Sequence, residues 1–171
     1  MDWTYFHLMT NHAPVLGAIF GTIILLWGKI RRSRQVLDVG LALMVFTGLM
    51  AIPVYLTGEP AEHAVEGLPG VLEQFIESHE DFAQYALISA IISGIAALAA
   101  LVLGLMKSDS RVRGLLATVT IVLALITAGL MGWTARLGGL IRHSEIRAAG
   151  TESPAPPRGE SRRESRDDDD H

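Results

Sequence analysis

The chain contains no cysteine. That excludes disulfides, thiolate metal sites and cysteine-ligated iron–sulfur clusters within it. Charge is scarce too, at 19% of residues, whereas half of the 171 residues are apolar. No HExxH, GxSxG or P-loop pattern occurs, so the common hydrolase and nucleotide-binding signatures are missing. The segment 57–81 has neither Lys nor Arg. Elsewhere the basic residues of the first 147 positions crowd mainly into short segments, where membrane topology accounts for them; nothing points to nucleic acid.

What is present is apolar sequence gathered into blocks. Four stretches, roughly 9–28, 36–56, 82–106 and 115–139, reach the length of about 20 residues that crosses a bilayer's hydrocarbon core. A soluble bundle would need polar outer faces on its helices, and these blocks lack them. The fold class expected is all-α: a polytopic membrane protein, a four-transmembrane-helix bundle over residues 1–147 in a lipid bilayer. The remainder, 148–171, is rich in Pro, Ser, Glu and Arg and closes on DDDDH. Such a segment cannot bury apolar surface and is expected to be a disordered charged tail. The first block is expected to stay as a span, because Asp2 and no basic residue precedes it, unlike a cleavable signal.

Loop charge sets the orientation. The first loop carries Lys29, Arg31, Arg32 and Arg34; the third carries Lys107, Arg111 and Arg113. The middle loop carries only acids: Glu59, Glu62, Glu66, Glu73, Glu77, Glu80 and Asp81. The positive-inside bias therefore places loops one and three in the cytoplasm, and the middle loop and both termini outside.

With that topology the histidines gather. His7 and His12 open the first span, His63 follows the second, His79 opens the third and His143 follows the fourth. All five fall on the outer face. Neutral imidazole ligates Fe, Cu, Zn or haem iron, and carboxylates complete a hard-metal site or orient a ligating histidine. In 58–66, Glu59 and His63 share a helical face, as do Glu62 and Glu66. The plainer reading is that Asn11 caps the first span and Ser78, Glu80 and Asp81 cap the third, the other acids forming a solvated face. Gly17 and Gly21, and the row Ser89, Ser93 and Ala97, are read first as close helix packing, with space for a flat cofactor as the alternative. Pro53 is expected to kink the second span.

His7-x4-His12-x-Pro14 at the first span, His79 at the third, and Gly132-Trp133, Gly138-Gly139 and Arg142-His143 at the close resemble a family of small bacterial membrane proteins called domain of unknown function 2231. Leu8 and Ala13 stand where that family has proline and phenylalanine. The resemblance implies a four-helix protein of the bacterial cytoplasmic membrane. Relatives joined to redox modules imply an electron-transfer setting, with a periplasmic or membrane redox protein as partner.

Two functions compete. One is a redox protein holding haem b, with His12, His79, His143 and His7 as axial candidates, or a non-haem Fe, Cu or Zn ion. The non-haem ion would draw on His12, Glu59, His63, Glu77, His79, Glu80 and His143. The other is non-redox: metal handling, sensing or complex assembly. Coupled transport is disfavoured, since no ionisable side chain lies at the middle of a span.

Overall fold

In a computed structural model, residues 3–106, 111–143 and 147 are described, and the tail 148–171 lies outside them. The described residues form six helices: α1 (Trp3–Thr10), α2 (His12–Ile30), α3 (Arg34–Leu56), α4 (Gly58–His63), α5 (Glu73–Leu105) and α6 (Arg111–Arg142). Four helical stretches are long and apolar enough to cross a membrane, α1 and α2 together forming the first. Among the described residues the chain is all-helical, and its four long apolar helices make it a multi-pass membrane protein. α2 packs on α3, α3 on α5, α5 on α6 and α6 back on α2, closing a ring of four, while α1 lies against the short α4.

Small residues make the ring tight. A Cβ on Gly17 would lie 2.5 Å from Thr47 Oγ1, and one on Gly21 would lie 2.8 Å from Met44 Sδ. On the next interface a Cβ on Gly48 would lie 2.9 Å from the Ala90 carbonyl oxygen. Neighbouring helices thus fill the glycine rows, as expected of close packing in lipid. Ala18, Leu25, Leu41, Met44, Ala90, Ala97, Ala100 and Ala124 are fully buried at the centre. Large apolar side chains such as Phe20, Ile23, Leu49, Ile95 and Leu125 point outward, the inverse of a water-soluble bundle.

Two details of the sequence reading change, both at helix starts. α1 runs almost directly into α2; Asn11 has a helical backbone and makes no capping bond. Its Oδ1 is buried without a hydrogen-bond partner. α5 begins at Glu73, so Ser78, Glu80 and Asp81 lie inside the helix rather than at its cap, and Ser78 Oγ bonds back to the Gln74 carbonyl at 2.7 Å. Pro53 sits inside α3, and the helix continues past it to Leu56.

Length then positions the acidic end of the bundle. At about 1.5 Å per residue, α5 and α6 run to about 50 Å, while a hydrocarbon core is about 30 Å thick. The excess of α5 lies on its polar first turns, Glu73 to Asp81, around which α1 and α4 gather.

Candidate functional site

Two of the candidate histidines lie half-buried between helices, and each is held by one ring nitrogen. His7 Nδ1 lies 2.9 Å from the Val54 carbonyl oxygen near the end of α3, and 3.3 Å from Thr57 Oγ1. His79 Nδ1 lies 3.0 Å from the Thr134 carbonyl oxygen on α6. A carbonyl only accepts, so Nδ1 of both rings carries the proton and donates it. In the neutral tautomer this leaves Nε2 of each ring with its lone pair.

A glycine makes room for the His79 ring, whereas the glycine nearest His7 leaves ordinary contact distance. A Cβ on Gly138 would lie 3.1 Å from His79 Cε1 and 3.3 Å from its Nδ1. A Cβ on Gly58 would lie 3.8 Å from His7 Cε1. The two imidazoles are close enough for charge on one to act on the other. Thr134 also buries its Oγ1 without a hydrogen-bond partner beside the carbonyl that holds His79.

The other candidates lie further out. His12, His63, His143, Glu59, Glu77 and Glu80 are exposed. α4 does place Glu59 and His63 on one face, with His63 Nε2 4.0 Å from Glu59 Oε1, and His63 Nδ1 lies 3.2 Å from Glu66 Oε2. Glu62, His63, Glu66, Glu73, Ile76 and Glu77 line an open cleft of about 160 Å³. That volume suits an ion with its waters and falls well below the roughly 300 Å³ at which small-molecule pockets begin. Burial raises the pKa of Glu62 above its ordinary 4.5, and the Glu80 carboxylate pushes it in the same direction. Among the described residues no group of three or more His, Asp or Glu side chains converges on one point as a metal cage would require.

At the opposite end lies a contact that the sequence reading did not pair. The Arg113 guanidinium on α6 binds the Asp38 carboxylate on α3, and Arg113 occupies the space beside Gly104 that a side chain would take. A signal for it was available. Arg113, Thr120, Thr127 and Thr134 recur every seventh residue, which puts them on one face of α6. Arg113, Thr120 and Thr127 are buried on that face, and Thr127 Oγ1 shares a 2.7 Å hydrogen bond with Ser89 on α5.

Comparison with family models, with characterised proteins and with solved structures gave no match.

Proposed function

We propose that this chain is a multi-pass protein of a bacterial cytoplasmic membrane, with both termini and the acidic 57–81 segment outside. Its outer end would hold a non-haem transition-metal ion through Nε2 of His7 and His79. The supporting observation is that each ring gives Nδ1–H to a backbone carbonyl, the arrangement that fixes a histidine's tautomer and aims its other nitrogen at a metal. Glu62 and Glu80, close enough to interact electrostatically, would supply the negative charge that favours a cation beside them.

A small ion fits this end better than a porphyrin does. The space beside Gly17 and Gly21, the pair on the first span that would seat a flat ring, is filled by Thr47 and Met44 of α3. An ion of Fe, Cu or Zn would supply either one-electron chemistry or Lewis acidity there. The resemblance to the domain of unknown function 2231 family favours the redox choice, with electrons passed at the outer face to a periplasmic or membrane redox protein.

The second reading, non-redox metal handling, sensing or complex assembly, draws on the acidic cleft beside α4. Its walls are open to water, which suits an exchangeable ion rather than a resident cofactor.

The test is metal analysis of full-length protein purified in detergent after loading with Fe, Cu and Zn separately, with an absorption scan for haem. One equivalent of metal retained by the wild type and by His12→Ala, but lost in His7→Ala and His79→Ala, is the expected result. Metal-free wild type would overturn the site. Topology is checked separately, and the absence of cysteine makes that check clean. An impermeant thiol reagent should label Ala64→Cys in intact cells and leave Gln35→Cys untouched.

A further inference from the structure

At the basic end of the bundle the α2–α3 turn holds a conformation its residues do not favour. Ser33 N–H donates to the Gly28 carbonyl oxygen at 3.0 Å and Arg32 N–H to that of Lys29 at 3.2 Å. This crossed pair is the usual close of a helix on a left-handed residue, a position normally given to glycine. Here it is Arg32, with φ +53°. A left-handed backbone is unfavourable for a residue with a Cβ, and such strain is retained where the side chain is needed.

The side chains around Arg32 share its sign. Lys29, Arg31, Arg34 and Arg111 are all exposed at this end. Several are held in place: Lys29 Nζ donates to Thr118 Oγ1 at 2.9 Å, and Arg34 Nη2 donates to the Gly104 carbonyl at 2.7 Å. The Arg31 guanidinium lies 5.7 Å from the centroid of the exposed Trp27 ring, an aromatic–cation pair typical of the headgroup level. Among the described residues of this end the one acid is Asp38, and it is engaged by Arg113. The rim therefore presents several exposed cations at one level of the bundle.

We propose that this rim is a binding site for anionic phospholipid headgroups, in which Arg31 and Arg32 hold the phosphodiester while Trp27 sits against the upper acyl chains. The proposal rests on the bundle spanning a bilayer and not on the histidine site. Cationic side chains at a membrane surface attract anionic lipid with a strength that loses about fivefold per residue removed.

Thermal unfolding of the full chain in neutral detergent, with phosphatidylglycerol, phosphatidylcholine or inorganic phosphate added, tests it. Phosphatidylglycerol should raise the Tm of the wild type, and the other two should not. Arg32→Gly is the discriminating variant. It removes strain and charge together, so it should unfold at higher temperature than the wild type without lipid, yet gain less from phosphatidylglycerol. Arg31→Gln should lose lipid response with no such gain. Equal responses to phosphatidylglycerol and phosphatidylcholine, or an undiminished response in the Arg31→Gln/Arg32→Gly double variant, would overturn the proposal. A response reproduced by inorganic phosphate alone would overturn it too, as binding of a free anion.

Discussion

The His79 imidazole fills the space that a side chain at position 138 would take, and donates from Nδ1 to the carbonyl of Thr134, one turn earlier on the same helix. One face of α6 thus both shapes and orients the ring. Gly138→Ala puts a methyl 3.1 Å from Cε1, so the ring must give by a few tenths of an ångström. Disturbing the partner that orients a ligating histidine typically weakens metal binding by about 10-fold or more. Metal titration of Gly138→Ala should show that loss while Tm moves little.

The interior glycines and those facing outward should respond in opposite directions. Gly48→Ala drives a Cβ to 2.9 Å from a backbone oxygen of α5, which no side-chain rotation relieves. The helices must part, at a cost of about 1–3 kcal/mol. Gly114→Ala meets nothing within 4 Å and should gain about 0.5–1 kcal/mol of helix propensity. Denaturation of both variants in the same detergent compares the two signs.

Removing Asp38 should harm the fold more than removing the whole pair. The Arg113 side chain is only 11% exposed, so Asp38→Ala leaves its charge without the carboxylate in a protein interior. Because Asp38 itself is about a third open to solvent, the cost is taken as about 2 kcal/mol, below the usual range for a fully buried pair. The double variant Asp38→Leu/Arg113→Met should recover much of it, read as the midpoint of chemical denaturation.

Acid should tighten the outer cap. The folded pKa of Glu62 lies above its unfolded value because burial, and then Glu80, disfavour its charged form. The fold therefore binds this proton more tightly than the unfolded chain does. Its contribution is fully present below the ordinary value of 4.5 and is lost as pH rises through the raised one. Tm measured from neutral pH downward should show a stabilising component in the wild type that Glu62→Gln lacks.

The spans were legible because apolar length is a strong signal and lipid demands it of a helix. The meeting of Glu59 and His63 on one face followed from helical spacing alone. The ranking of the histidines was not legible. His12 precedes Pro14 at the mouth of a span, which gave it weight, but the helical backbone runs back from α2 through Asn11 toward α1 and His12 is exposed. His7, which shares no face with it, is carried to Val54 instead. Which of two histidines five residues apart turns inward depends on the helix phase set at its start, and no local residue announces that. Arg113 was read only as a topology signal, without its partner Asp38. Their pairing is a long-range contact, for which only the sevenfold recurrence on α6 gave notice.

The overhang of α5 and α6 ties His7 and His79 to the thickness of the surrounding lipid. If the proposed site holds an ion, a thin bilayer would leave His7 and His79 among water-rich headgroups, where that ion could exchange. A thicker one would bring the acyl chains up around the same two rings, and helix tilt offers only partial relief. Acyl-chain length would thereby become a control on ligand exchange at the proposed site, whose own side chains need not move.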